Sequence, residues 1–384
     1  MSLSKLLEFY PYSASALSET RFEFPSVDGT LSDNWTSELT EEQFFKESMR
    51  KNPFLPKEND LDVKTMELFF EMEQRCLTYN SRFNELFANA KLVEILTAWR
   101  AHVRTIMGDC YATYGKINSG ATVSVATGNS PLERFAEPTM THELFALKTQ
   151  HGPYNWDMMP YNVGDIVFHN GSVTKTVPKS AKINRVINPE PSCNSFEQAA
   201  YGATMQRRLL HVGIDLSTAQ EIHRKLAHEA SISGLYATKD LTSASALIYT
   251  ELCKWLLSHE WYSALNACRS HYTWVDRSPM YDFGHYWKLQ QFATMGNGFC
   301  FELETIIFLG LMRAVAEVSG QEFLTYSCYC YGDDMIVPTS LSKNLSSVIK
   351  AVGFLENREK SFDSGPFRES CGGDFLAGHD VRSV

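Results

Sequence analysis

The chain has 384 residues, 44% apolar and 21% charged, with 35 basic against 45 acidic side chains and a formal net charge of −10. These are globular proportions, and they exclude disorder, collagen or coiled coil as descriptions of the whole chain. The longest apolar run, Ile306–Met312, falls far short of the roughly 20 residues that cross a bilayer.

Nine scattered cysteines without a C-x-x-C pair point to a reducing compartment, with neither a disulfide framework nor a zinc site. Met1–Leu17 carry one lysine and no long apolar stretch, so no signal peptide is expected. The excess of acid argues against a surface committed everywhere to nucleic acid, but not against a local basic channel. Residues 1–75 hold 15 acidic and 8 basic side chains. Ser172–Pro189, in contrast, contains Lys175, Lys179, Lys182 and Arg185 and no acid.

The stretch to about Asp60 is polar and acidic and is predicted to be irregular or partly helical. Val63, Met66, Phe69, Phe70 and Cys76 then recur at helical spacing, and Leu92, Leu96, Trp99, Val103 and Ile106 give a second helix stopped by Gly108. Residues 115–135 read as loop. Between Val163 and Ile187 the pattern turns to strand, with Gly164 and Gly171 as turns. Two helices follow, near Ser195–His211 and Thr218–Ala230, the second with a capping-box spacing at Ser217 and Gln220.

The last part reads as a split β-α-β-β-α-β pattern. A strand (Gly234–Lys239) leads to a helix (Thr242–His259) and an aromatic-rich insertion to Met295. A long helix (Gly298–Val318) and a strand (Glu322–Tyr331) come next, then a tight turn and a strand (Met335–Pro338). A helix (Leu341–Val352) and a short strand (Phe354–Asn357) close the series.

Four features carry chemistry. Tyr331-Gly332-Asp333-Asp334 contains the only Asp-Asp pair in the chain and lies between two β-type runs, as a hairpin tip does. Most such tips are solvated turns. Asp240 ends the strand before it; taken alone it reads as a helix N-cap. Together they would bring carboxylates to strand ends of one sheet, where Mg²⁺ ions and substrate phosphates can be held. The acid-free run with Lys175, Lys179, Lys182 and Arg185 is broken for a helix by Pro178, and as an extended hairpin it suits a triphosphate or an RNA backbone. Met295-Gly296-Asn297-Gly298 opens a helix with glycines that let backbone approach a ligand.

In order, these blocks resemble the RNA-directed RNA polymerases (replicase β subunits) of single-stranded RNA bacteriophages, of the leviviral Q-beta type. The resemblance runs from about Leu61 to the end. It rests on Val177-Pro178-Lys179 with Lys182 and Arg185, Gly213-Ile214-Asp215-Leu216, Ala227-His228-Glu229, Asp240-Leu241 with Ala244-Ser245, and Met295–Gly298 with Phe301–Glu304. Tyr331–Asp334, Val352-Gly353-Phe354 and Gly365–Gly372 complete it. The last block, an octapeptide that generic polymerase chemistry does not demand, is the most telling.

The resemblance implies an α+β right-hand polymerase. Residues 1–110 would be an N-terminal helical region and 111–232 fingers with a basic NTP-entry hairpin. Residues 233–384 would be a palm with an insertion at about 260–295, and the thumb would be largely missing from an apparently C-terminally shortened chain. It implies two Mg²⁺ ions, with Mn²⁺ as a substitute, on Asp240, Asp333 and Asp334. Lys360 would be the proton donor to pyrophosphate. Lys175, Lys179, Lys182, Arg185, Ser245, Gly296, Asn297 and Arg368 would bind nucleotide or RNA. RNA template and product, NTPs, host elongation factors Tu and Ts and a ribosomal RNA-binding protein would be partners, without a membrane, in the cytoplasm of a bacterial host. One position departs from the family pattern: Ala246 stands where the family has an aspartate, two helical turns beyond Asp240, and relaxed ribose discrimination is the expected result. A reverse transcriptase and a catalytically inactive RNA-binding fragment are the alternative readings.

Overall fold

A computed structural model describes residues 61–113, 115, 120–126, 133–150, 165–180 and 183–382. The predicted irregular stretch to Asp60, and Lys182, lie outside them. The architecture mixes helix and sheet around one buried helix.

Helices α1 (Leu61–Ser81) and α2 (Ala90–Met107) fall where the periodicity places them. Asn89 caps α2 by accepting from the Leu92 N–H at 3.1 Å, and Gly108 closes it at φ 55° with its N–H on the Arg104 carbonyl. Strand β1 (Thr139–Met140), followed by α3 (His142–Gln150), pairs in parallel with β2 (Val167–Phe168). Next come β3 (Ser172–Val173) and a two-stranded antiparallel ribbon of β4 (Lys175–Pro178) and β5 (Asn184–Ile187).

Helix α4 (Ser192–His211) precedes α5 (Ala219–Ser233). The predicted capping box of α5 does not form. Asp215 instead accepts from the Ser217 N–H at 2.9 Å and from its hydroxyl at 2.7 Å, an Asx turn ahead of the helix.

After β6 (Tyr236–Lys239), the single helix expected over Thr242–His259 is broken up. Ser243 sits at φ 53°, outside helical space, and Ser245–Leu247 wind as a 3-10 turn. Only then come α6 (Thr250–Leu256) and α7 (His259–Cys268), the latter capped by Ser258. The aromatic insertion is the hairpin of β7 (Tyr272–Val275) and β8 (His285–Lys288), with β3 flanking β7.

Helix α8 (Cys300–Val318) is predominantly apolar and buried along nearly all its length, as a helix enclosed by protein is, with Glu302, Glu304 and Arg313 among its buried residues. Helix α2 packs tightly against it at Gly310, where a Cβ would stand 2.7 Å from Val103 Cγ2. Trp99 of α2 donates its indole N–H to the Ile307 carbonyl at 2.8 Å.

The strand expected over Glu322–Tyr331 shrinks to β9 (Tyr329–Tyr331). Glu322–Ser327 wind as 3-10 and leave Phe323 and Tyr326 in solvent. Strand β10 (Asp334–Pro338) follows, then α9 (Ser342–Ala351). The central sheet has the order β6-β10-β9, all antiparallel. The strand expected over Phe354–Asn357 contributes one isolated bridge, Glu356 to Leu241, and a second bridge joins Phe362 to Thr238.

A meander of β11 (Phe367–Ser370), β12 (Gly373–Leu376) and β13 (His379–Asp380) ends the described chain and packs on α5. Among the described residues no helix is long and apolar enough to cross a membrane.

Candidate active site

The site is built where β6 and β10 end. Met335 pairs with Lys239, so one more step along that register sets Asp334 opposite Asp240. Asp333 lies at the tip, in the Gly332–Asp333 turn between β9 and β10. Gly332 has φ 62° there, and its N–H rests on the Thr305 hydroxyl of α8 at 3.0 Å. The Phe301 ring packs edge-on against Tyr331 with 4.8 Å between centroids, leaving no room for a Cβ on Gly332. The sequence predicted that Asp240 would converge with Asp333 and Asp334, 93 and 94 positions later, and the structure brings them together.

Their ionisation reports the crowding. Burial, then the neighbouring Asp333 and Asp334 carboxylates, push Asp240 up to about 7 against the pull of Lys360 and of an Asn357 hydrogen bond. Asp334 is pushed up to about 6 by burial and by Asp333. Burial also raises Asp333, while Lys360, Lys179 and Arg185 act in the opposite direction. Glu304 of α8, fully buried and next to Asp333, is held well above the carboxylate range.

Two supporting residues were not singled out from the sequence. Asn357 donates its amide to Asp240 Oδ2 at 2.7 Å and its backbone N–H to the Asp240 carbonyl at 2.9 Å. Cys371 stands against Asp334, with its N–H 3.4 Å from Oδ1 and its Sγ 3.4 Å from Oδ2. Asn357 offers no local signal, because its partner is 117 residues away. Cys371 lies inside the octapeptide, where its role is invisible without the fold. Lys360 makes an ion pair with Glu369 at 3.1 Å and remains part-exposed beside the aspartates.

The basic ribbon has two different faces. Asn184 anchors one to α1, its N–H on the Thr65 hydroxyl at 3.0 Å and its amide on Asp62 at 2.7 Å, and Val186 packs into a small core with Phe69 and Phe70. The other face carries Lys175 and Arg185, since Arg185 pairs with Val177, two residues from Lys175. Lys179 continues that side, and it and Arg185 both act on Asp333.

Three expectations change. Arg368 is 1% exposed, and its guanidinium donates to the carbonyls of Tyr236 (2.8 Å), Gly365 (2.9 Å) and Phe367 (2.7 Å). It ties the meander to β6 and has no free fork for RNA. Gly296, at φ 127°, turns its bare Cα to the Asn188 backbone, where a Cβ would lie 2.5 Å from the carbonyl oxygen. Its glycine serves internal packing rather than ligand approach. Ala246 lies in the 3-10 turn rather than on a helix, half-buried, with its carbonyl accepting from Cys76 Sγ at 3.2 Å. Ser245 starts that turn, half-buried. Asn297 is buried and presents an Nδ2 without a hydrogen-bond partner.

Three crowded carboxylates facing one lysine leave an excess of negative charge of the kind a divalent cation relieves, and hard oxygen donors suit Mg²⁺ or Mn²⁺. Among the described residues no three His, Cys, Asp or Glu side chains are already drawn into a coordinating cluster. The fit is therefore one of donor type and charge.

Residues 7–384 match the family model described as RNA replicase, β-chain. The chain is similar to the RNA-directed RNA polymerase β chain of Escherichia phage MS2, with 38% identity over 66% of this chain and 46% of that one. It is similar to that of Enterobacteria phage GA, with 33% identity over 88% of this chain and 64% of that one. For the β subunit of Escherichia virus Qbeta the values are 32%, 84% and 54%. The chain thus spans about half to two thirds of the length of these curated relatives. A solved RNA-dependent RNA polymerase from bacteriophage phi12 is 12% identical, with a TM-score of 0.44 over 75% of this chain and 55% of that one, too slight a likeness to bear on the fold.

Proposed function

The chain belongs to the RNA replicase β-chain family, and on that premise we propose that it carries the nucleotide-adding centre of an RNA-directed RNA polymerase that copies a phage RNA genome from NTPs. One observation carries the reading. Asp240, Asp333 and Asp334 meet at strand ends with Lys360 beside them, and two cations of the ribbon act on the same carboxylate. In this reading residues 233–384 are the palm, with an insertion at about 260–295, residues 111–232 are fingers, and residues 1–110 are an N-terminal region. The work is done in the cytoplasm of the bacterial host.

Asp240 and Asp333 would hold two Mg²⁺ ions, or Mn²⁺ in their place, with Asp334 the weaker ligand. Bound there, such ions stabilise charge on the attacking and leaving oxygens of an in-line phosphoryl transfer. The protein's own groups divide the remaining tasks. Lys179 and Arg185 hold the triphosphate, arginine as a planar fork and lysine as a point charge. Burial opposes the charge on Lys360, but Glu369 and Asp240 outweigh it and hold its pKa above the ordinary lysine value. Its Nζ therefore keeps a proton to pass to departing pyrophosphate, and a positioned general acid contributes about 10²–10⁴-fold. The unpartnered amide N–H of Asn297 suits a ribose hydroxyl.

The test is nucleotide addition by the purified chain on a short RNA template and primer with Mg²⁺, comparing NTPs with dNTPs. Metal-dependent NTP addition is expected, reduced about a thousandfold in Asp333→Asn. Preference for dNTPs would make the protein a reverse transcriptase. RNA binding without addition of either would make it a binding module.

A further inference from the structure

We propose that Cys371 is a positioning residue for Asp334, fixing through its thiol the direction in which that carboxylate faces. The proposal rests on the polymerase reading of the site and assigns a residue that the reading leaves unused.

Strands β11 and β12 close through Cys371 and Gly372, with Ser370 opposite Gly373. Both turn residues have positive φ, 47° and 75°. That is a type I′ hairpin turn, whose first position favours Asn, Asp or Gly and penalises other side chains. The meander's second turn, Ala377–Gly378, has the same signs, and alanine there makes no comparable side-chain contact with the site. At Cys371 the unfavourable backbone brings two donors to one carboxylate. The N–H is 3.4 Å from Asp334 Oδ1, and Sγ is 3.4 Å from Oδ2. Both oxygens of Asp334 thus face one residue that is 37 positions further on.

The thiol is itself held from behind. The Ser370 hydroxyl, on the neighbouring residue, also acts on the thiol. His223 of α5, 1% exposed, places Nδ1 3.0 Å from the Ser370 oxygen. Its Nε2 is buried without a partner, which suits an acceptor nitrogen in a neutral ring. With Nδ1 protonated, His223 donates to the Ser370 oxygen and leaves the Ser370 hydroxyl proton to the thiol side, while Cys371 Sγ faces Asp334. An S–H is a weak donor alone. Aligned by a rigid turn and a buried strut, it selects one carboxylate orientation from several.

Glycine separates this role from mere space-filling. It suits the turn, keeps the backbone N–H and removes the thiol. The probe is Mn²⁺ alone, titrated into the full chain, with the free ion followed by electron paramagnetic resonance. Cys371→Gly is expected to weaken Mn²⁺ binding about threefold to tenfold, with its unfolding midpoint unchanged or raised. Cys371→Ser, which supplies an O–H donor, should return binding to within about twofold of wild type. In an Asp334→Asn background, Cys371→Gly should have no further effect. Wild-type Mn²⁺ binding in Cys371→Gly, or an equal loss in both backgrounds, overturns the proposal and leaves the polymerase reading standing. A wild-type chain that binds no Mn²⁺ overturns the metal site and this proposal with it.

Discussion

Replacing Arg368 by methionine keeps most of the aliphatic stem and removes the guanidinium. Three carbonyls, those of Tyr236, Gly365 and Phe367, lie 2.7–2.9 Å from its nitrogens in a site that is 1% exposed. A hydrogen bond to a charged group contributes about 1.5–3 kcal/mol net, so three would sum to roughly 4–9 kcal/mol. The desolvation cost of burying the guanidinium disappears with it, and that is several kcal/mol. Net of that, a loss of about 3–5 kcal/mol remains, because the carbonyls of buried Phe367 and half-buried Tyr236 lose their donor, and only Gly365 is exposed enough to turn to water. For a chain of this size the unfolding midpoint should fall by roughly 6–12 °C, at about 2 °C or slightly more per kcal/mol. The assay is thermal unfolding by circular dichroism beside the salt dependence of binding to a short single-stranded RNA. Below its midpoint, Arg368→Met should bind RNA with wild-type affinity and slope. An unchanged midpoint with a shallower salt slope would show a phosphate contact and refute the structural role.

On the proposed reading the exposed ribbon holds the phosphates and does no chemistry, so Arg185→Ala should raise the apparent KM for NTPs about threefold to tenfold with little change in kcat; an unchanged KM in steady-state kinetics would count against the assignment. Asp240 titrates at about 7 in the metal-free fold against 3.8 for an ordinary aspartate. The folded state therefore holds an extra proton between those values, and stability of the metal-free protein should fall as pH rises from about 4 to 7. Asp240→Asn should raise the melting temperature at pH 8 and lose that advantage below pH 4, as scanning calorimetry in a chelator would show. Gly310→Val should destabilise strongly, by about 3 kcal/mol or more in denaturant titration, because α2 cannot recede from α8 without emptying the core. Ala246→Asp should raise the kcat/KM ratio of ATP over dATP about tenfold to a hundredfold if residue 246 participates in sugar selection; equal ratios would remove it from that role.

The hairpin of Asp333 and Asp334 was legible because turn letters stood between two β-type runs, a local pattern with a local cause. The ribbon with Lys179 and Arg185 was legible for the same reason, since Pro178 rules out the helix that the basic spacing imitates. What failed was set by distant contacts. Apolar and aromatic letters from Phe323 to Tyr331 imitate a strand, yet only Tyr329–Tyr331 find a partner in β10. The segment after Asp240 looks helical in composition, but Leu241 and Thr242 are bonded to the chain near Glu356 and Leu355, and Ser243 must turn to allow it. Arg368 read as a ligand because a lone arginine in a motif gives no sign of whether its donors meet phosphate or carbonyl oxygen.

The bonds that complete Asp240 also set a timetable. Its carboxylate takes the Asn357 amide, 117 residues later in the chain, and Thr238 beside it bridges to Phe362. At roughly 5–20 residues per second of synthesis, about 6–23 seconds separate the appearance of Asp240 from that of Asn357. Strand β6 spends most of that interval without β10, its ladder edge open to any passing chain. Asp240 is thus among the earlier residues of the site to be made and among the last to be finished.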